Sequence, residues 1–376
     1  MMKFFITGST GILGKRIVNI LLEAGHDVHL LVRPESYSVA TNLFSSPKLK
    51  IWNGDLTNPD IILNNEHISK LTSEIDVIIH MAALYDLRAD RSSAYLSNVV
   101  GTQGLLYFAN QCTNLKSFVY VSTIAVAGDY QGEFKESQLE CGQNFENNYA
   151  LTKYEAELLF SSWKLNAKKI ILRPGIVIGD SKEGKVERID GPYYFLQALA
   201  KIKDKKFLLE TLKYLPMPFK RGAQIPLVPV DSVAKAIAKI ALDPPDKMFA
   251  RYHLLSSANA TVQELLQDSF RTFDFKVEVI PLPDTKVNDL LMEKIGLPKE
   301  LLGYLYSEAT FSNSELIKDY PEIMIPSYYQ FKNNFLSGAV NHFLKKRITA
   351  KKNIFKTDKV RKVAKAAAQL LGREMQ

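Results

Sequence analysis

The chain has 376 residues, 46% hydrophobic and 23% charged, the composition of a globular protein with a sizeable core rather than a disordered one. No apolar run approaches the ~18 residues that span a bilayer. The opening MMKFFITGST reaches Gly and Thr too soon for a signal-peptide core, so a cytoplasmic protein is expected. The net charge of +8 is local: residues 345–376 hold 11 Lys and Arg against 2 Asp and Glu, a net +9 that leaves the other 344 residues at −1.

Up to about residue 180, short apolar runs alternate with amphipathic stretches. KFFIT (3–7) reads as a strand and LGKRIVNILLEAG (13–25) as a helix closed by Gly25. DVHLLVR (27–33), LKIWNGD (49–55), DVIIHMA (76–82), KSFVYVS (116–122) and KKIILRP (168–174) read as further strands, with helices over 92–111 and 149–165. Alternating strands and helices predict right-handed βαβ crossovers and an α/β fold, a doubly wound parallel sheet buried on both faces. Beyond Pro174 the pattern loosens. IPLVPVDSVAKAIAKIAL (225–242) predicts a strand and helix returning to the main sheet, and Thr261 an N-cap for VQELLQDSF. The expected organisation is a nucleotide-binding domain over 1–180 and 224–255, a smaller, mostly helical C-terminal substrate lobe over 181–223 and 256–344, and a basic tail over 345–376. Cys112 and Cys141 have no metal-like spacing and read as free thiols, and with six His in all a metal enzyme is not expected.

TGSTGILG joins the first strand to the first helix. Gly8 permits the tight turn, Gly11 lets a pyrophosphate approach the backbone, and Gly14 allows close packing of the helix. The helix N-terminus offers N–H groups and partial positive charge to phosphate. Thr7, Gly8, Thr10, Gly11, Ile12 and Gly14 are therefore the expected dinucleotide contacts. The second strand ends in LLVRPES, which places Arg33 where an acidic residue would grip the ribose of NAD. An arginine there suits a 2′-phosphate, with Arg16 as a second cation, so NADP (NADPH) is expected; a solvated arginine is the other reading. Asp55 and Leu56 after the third strand, and Ala82 and Ala83 after the fourth, fit contacts along the cofactor, although capping or packing suits each nearly as well.

Ser122 and Thr123 are hydroxyls at the carboxyl end of the fifth strand, where such sheets bind ligands. Tyr149 and Lys153 lie one turn apart on the next helix. Tyr328 and Lys332 have the same spacing, but no strand or loop of this kind precedes them, so they read as a coincidence. Free tyrosine, with a pKa of ~10, exchanges protons poorly at neutral pH. A neighbouring ammonium and the cationic oxidised nicotinamide would favour its phenolate. Tyr149 would then pass a proton to or from a carbonyl oxygen that a hydroxyl also holds.

TGSTGILG, GDL, HMAA, NVVGT (98–102), VSTIAVAG, YALTK and RPGIVIGD (173–180) together resemble an extended short-chain dehydrogenase/reductase over residues 1–260. The resemblance implies Thr123, Tyr149 and Lys153 as the catalytic set, Ser122 as the alternative first member, Asn98 as a structural or relay residue near the cofactor, and Pro174 and Gly175 presenting backbone to the carboxamide. It also implies that Lys153 grips the nicotinamide ribose. Sugar-nucleotide dehydratases of that superfamily place Asp-Glu after the catalytic Thr, where this chain has Ile124 and Ala125. NAD-dependent sugar-nucleotide epimerases favour an acidic residue in place of Arg33. LLVRPES, HMAALYDLRAD, NVVGTQGLLYFA and RPGIVIGDSKEG are similar to the thioester-reductase and fatty acyl-CoA reductase branch. That likeness implies NADPH-dependent reduction of a CoA-bound or carrier-bound acyl thioester to aldehyde or alcohol. A ketone or aldehyde reductase of the hydroxysteroid or dihydroflavonol type is the alternative, and a cofactor-retaining sensor or scaffold the non-enzymatic one.

TDKVRKVAKAAAQLLG (357–372) sets apolar residues on one helical face and Lys and Arg on the other. It suits docking on the body of the protein, peripheral contact with anionic lipid, or contact with an acidic carrier protein. Nucleic acid is not an expected partner; a homodimer is.

Overall fold

The computed structural model describes residues 1–58, 61, 68–205, 213–282 and 301–355, with backbone alone from 346 onward. The tail helix expected over 357–372 lies outside the described residues.

Seven parallel strands form one sheet: β1 (Lys3–Thr7), β2 (Asp27–Val32), β3 (Leu49–Asn53), β4 (Val77–His80), β5 (Ser117–Val121), β6 (Lys168–Pro174) and β7 (Phe249–Leu254), in spatial order β7-β6-β5-β4-β1-β2-β3. Period-2 alternation splits each strand between two cores. Phe4, Ile6, Val28, Leu30, Val77, Ile79, Val119 and Val121 pack on one face, together with helices α1 (Gly14–Glu23) and α4 (Val230–Leu242). Phe5, Leu31, Ile78, Phe118, Tyr120 and Ile171 pack on the other, beneath α2 (Gly101–Gln111) and α3 (Asn148–Ser162). Strands buried on both faces have no polar side to show, which is why they read as continuous apolar runs.

The strand order reverses between β1 and β4, so the loops leaving these strands diverge and open a crevice at their carboxyl ends. A third core, with Tyr193, Leu196, Phe219, Leu265, Phe270, Tyr328 and Phe335, gathers the residues around a helix at Pro192–Ile202, α5 (Val262–Thr272) and α6 (Tyr328–Phe355). The capping box expected at Thr261 is present: its Oγ1 accepts from Glu264 N–H at 3.1 Å, and Glu264 accepts in return from Thr261 N–H at 2.8 Å. Leu316, Tyr320 and Ile325, from the stretch expected in the lobe, pack instead into the α1–α4 core.

One expectation is corrected. The strand after Pro226 does not return to the main sheet: Leu227–Pro229 pairs in parallel with Ile176–Ile178 in a separate ladder, and the seventh strand is Phe249–Leu254. Pro226 and Pro229 lack N–H donors, which suits an edge ladder and not the interior of a sheet.

Candidate active site

A cavity of about 710 Å³ runs along the carboxyl ends of the strands. Its wall begins at the glycine loop. Gly8 has φ +74° and lies so close to the fourth-strand loop that a Cβ would come within 2.6 Å of Ala82 N. A Cβ on Gly14 would come within 2.2 Å of Gly8 O, so the helix start is pressed against the loop's own backbone. Gly11 differs: its added Cβ would meet only Gly8 O, at 3.3 Å, and otherwise faces open space. No side chain caps the start of α1. A bare backbone bend ahead of an uncapped helix start fits a pyrophosphate, and Thr7, Thr10 and Ile12 share this wall.

Arg33, Asp55 and Leu56 line the far end. Arg33 is largely exposed and pairs with Glu35 at 3.1 Å. Asp55 Oδ1 is already occupied by Thr57 N–H (2.9 Å) and the Thr57 hydroxyl (2.8 Å). Ala82, Ala83, Pro174 and Gly175 lie on the wall as expected. Two expected contacts do not. Arg16 donates to the Ile12 carbonyl at 2.8 Å and pairs with Glu187, which Lys15 also engages. Asn98 is buried on a π-helical turn (Leu96–Val100), where its side chain accepts from Leu84 N–H (2.7 Å) and donates to Thr152 Oγ1 (2.9 Å). It ties the loop after β4 to α3, a structural task.

Midway along the cavity the expected catalytic groups converge. Thr123 Oγ1 accepts from Ala125 N–H at 3.1 Å and faces the Tyr149 phenol. Ser122 does not compete: its hydroxyl donates to Glu157 at 2.6 Å, away from the phenol. Asn147 caps α3 by accepting from Ala150 N–H, which fixes Tyr149 in the first turn. The Tyr149 ring meets Tyr85 edge-on at 4.6 Å. Lys153 is buried, donates to the Val121 carbonyl at 2.9 Å and sits 4.2 Å over the Tyr120 ring.

The chain's own groups set the opposite balance. Burial holds the Tyr149 phenol well above its ordinary range; Tyr304 adds to this and Thr123 opposes it. Lys153 is itself pushed down to about 7 by burial, against the pull of Glu157. Desolvation therefore outweighs the single turn of helix between them, and the phenol is held neutral, the state a proton donor requires. Tyr328 and Lys332 both bond Asp268, at 3.1 and 2.9 Å, off this cavity: they hold α6 to α5.

Three groups were not singled out in the sequence. His80, inside HMAA, bonds Thr7 at 2.7 Å and Thr102 at 3.0 Å. Thr102 donates to the Asn98 carbonyl, so it accepts from His80 Nε2–H, and Thr7 donates to Nδ1. Burial pushes His80 down to about 3, so it stays a neutral linker between β1, β4 and α2. Glu157 and Arg173 form a fully buried pair at 2.5 Å; Tyr149, Lys153 and Glu157 share one helical face at four-residue steps, a signal readable in YALTKYEAE. Arg188 and Asp190 belong to a lobe segment with no such signal. Arg188 donates to the Tyr85 carbonyl, lies 4.3 Å over the Tyr85 ring and approaches Asp190 at 3.5 Å. Beyond them the wall is apolar, with Phe195, Met217, Ile225, Val262, Leu265 and Leu266.

Residues 6–237 match the family model described as "Male sterility protein", an NAD-binding family. The chain is 26% identical over 235 residues to "Fatty acyl-CoA reductase wat" of Drosophila melanogaster, covering 50% of this chain and 45% of that one. It spans less than half the length of the first curated relatives it matches. The terminal R domain from the myxalamid PKS-NRPS biosynthetic pathway superposes with a TM-score of 0.74 at 24% identity, over 92% of both chains. A thiolation-reductase di-domain from an archaeal non-ribosomal peptide synthetase gives 0.62 at 19% identity, over 93% of this chain and 76% of that one. The matched residues run from the glycine loop through the Thr–Tyr–Lys cluster, and the chain belongs to this male sterility NAD-binding family, within the extended short-chain dehydrogenases/reductases.

Proposed function

We propose that this chain is an NADPH-dependent reductase of acyl thioesters, CoA-bound or carrier-bound. The observation that carries the reading is one continuous cavity: a bare glycine bend at one end, Thr123, Tyr149 and Lys153 in the middle, and an apolar end past Phe195, Met217 and Leu266. A ribose and a pyrophosphate suit the first part, a carbonyl the second and an acyl chain the third.

The bound cofactor supplies hydride. Gly8, Thr10, Gly11 and Ile12 would hold its pyrophosphate, with Asp55, Leu56, Ala82 and Ala83 along its length and Pro174 and Gly175 at the carboxamide. Arg33 is the cation offered to a 2′-phosphate, and the preference for NADPH rests on it. Tyr149, kept protonated by burial, donates to the acyl oxygen as that oxygen gains charge. Thr123, oriented by Ala125 N–H, donates to the same oxygen from a fixed position. Lys153, anchored on Val121, reaches the ribose and brings positive charge to the site below about pH 7. The membrane and acidic-carrier contacts remain expectations attached to the basic tail. Among the described residues no helix is long and apolar enough to cross a membrane.

The test is turnover. The purified chain is incubated with NADPH or NADH and a long acyl-CoA, a carrier-bound acyl thioester, or a panel of ketones and aldehydes, while loss of reduced nicotinamide is followed. Thioester-dependent oxidation of NADPH in preference to NADH is the expected result. Turnover with ketones alone overturns the thioester reading, and binding without turnover on any substrate overturns the enzymatic one.

A further inference from the structure

Cleaving a carbon–sulfur bond requires a proton at sulfur, an atom that reduction of a ketone or aldehyde does not involve. This inference rests on the thioester reading above. Hydride adds to the acyl carbon, the oxygen takes the Tyr149 proton, and the result is a hemithioacetal. To release an aldehyde, the hydroxyl proton returns to the Tyr149 phenolate, the carbon–oxygen double bond re-forms, and the carbon–sulfur bonding pair leaves with sulfur. The two electrons come from the reduced nicotinamide, which ends oxidised. Tyr149 ends as it began, so the proton on sulfur has to come from elsewhere. An alkyl thiol keeps its proton up to about pH 8.5, so sulfur released at neutral pH ends up protonated.

The described wall around Tyr149 offers few donors. Lys153 gives one of its three N–H groups to the Val121 carbonyl and, on the reading above, turns the others to the ribose. Arg188 does not give up a proton. Burial drives Tyr304 up to about 12, and Tyr85 higher still, so both are weaker acids than the thiol they would serve. Asp190 remains. Its side chain is 14% exposed, lines the cavity, and stands 3.5 Å from Arg188 Nε. The Arg188 guanidinium covers the Tyr85 ring at 4.3 Å, and that ring meets Tyr149 at 4.6 Å. The carboxyl is thus held at the reacting centre from the lobe side, next to Gly191 and Pro192, where the apolar wall begins.

We propose that Asp190 is the general acid that protonates the departing sulfur, so that the reaction uses two donors, Tyr149 for oxygen and Asp190 for sulfur. Asp190 regains its proton from water at the cavity mouth. Burial pushes its carboxyl up to about 6 against the opposing charge of Arg188, which leaves a working fraction of the acid form near neutrality.

The test compares two thioesters of one acyl group, an N-acetylcysteamine ester and a thiophenyl ester, with NADPH. Thiophenol is the more acidic thiol and leaves without help. In the wild-type chain the two are expected to turn over at similar rates. Asp190→Asn is expected to raise the aryl-to-alkyl rate ratio by about a hundredfold, the usual size of a general-acid contribution. Both rates are read on one preparation, so a smaller folded fraction does not alter the ratio. An unchanged ratio overturns the proposal, whether both rates fall together, as a role in holding Arg188 would cause, or neither falls. A wild-type chain that consumes NADPH with ketones and with neither thioester overturns the thioester reading instead.

Discussion

Replacing Tyr149 with Phe removes one oxygen and leaves the ring against Tyr85. NADPH affinity is expected to hold while kcat falls by about 10²–10⁴-fold; single-turnover rates and a fluorescence titration of the cofactor check the two halves separately. Lys153 makes a different statement. Its folded pKa lies near 7, below its ordinary 10.5, so between these values the unfolded chain binds more protons than the folded one. Stability therefore rises with pH in that window and is lost as pH falls back through 7. Lys153→Met removes this dependence, so the Met variant is expected to exceed wild type in stability at pH 7 by a margin that shrinks towards pH 10. Urea unfolding of both chains across that range is the measurement, and a constant margin refutes the assignment. The spacing of Tyr149 and Lys153 was legible in the sequence because four residues are one helical turn. The direction of their electrostatics was not, because desolvation depends on what covers them, and Tyr304, Arg188 and Asp190 come from the lobe.

Among elements, the junction of β1 and α1 is held by backbone contact. Gly14→Ala puts a methyl 2.2 Å from Gly8 O, so the helix start must back away from the loop. Dinucleotide affinity is expected to fall by about tenfold or more, ~1.4 kcal/mol, read by calorimetric titration. The Glu157–Arg173 pair joins α3 to β6 with both side chains fully buried, and Ser122, Arg251 and His253 attach to it. Arg173→Leu leaves the buried Glu157 carboxylate with only Arg251 at 3.3 Å and the Ser122 hydroxyl, and is expected to destabilise the chain by about 3 kcal/mol. A shift in denaturation midpoint below about 1 kcal/mol would mean that the carboxylate finds another partner or takes up a proton. β1 to β6 and the helices α1, α2 and α3 were legible because their periodicity is local, whereas the seven-residue helices at Tyr37–Leu43 and Ile68–Glu74 were too short to show one. β7 was missed: FARYHL mixes Arg and His into the run, and both are satisfied by groups remote in sequence, Arg251 by Ser137 and Ser161, and His253 by Arg173 and Ser312.

For the whole molecule the decisive feature is that the lobe closes the sheet's crevice into a cavity. Leu266, buried on α5, forms part of its apolar end. Leu266→Trp fills that end, and kcat/KM for a long acyl thioester is expected to fall by about tenfold or more relative to a short one; a chain-length series measures it, and a uniform loss would place the acyl chain elsewhere. The sequence by itself determined the strands of the doubly wound sheet, the glycine bend, Arg33 at the end of β2 and the spacing of Tyr149 and Lys153, because each depends on residues within a turn or a strand of one another. Tertiary structure decided which hydroxyl faces the phenol, since Glu157 takes Ser122 and leaves Thr123. It also turned Arg16 towards Glu187, set Asn98 to structural work, and brought Arg188 and Asp190 beside Tyr149. Those contacts join residues dozens of positions apart, and the energy that fixes them is burial and charge pairing, which a linear pattern does not carry.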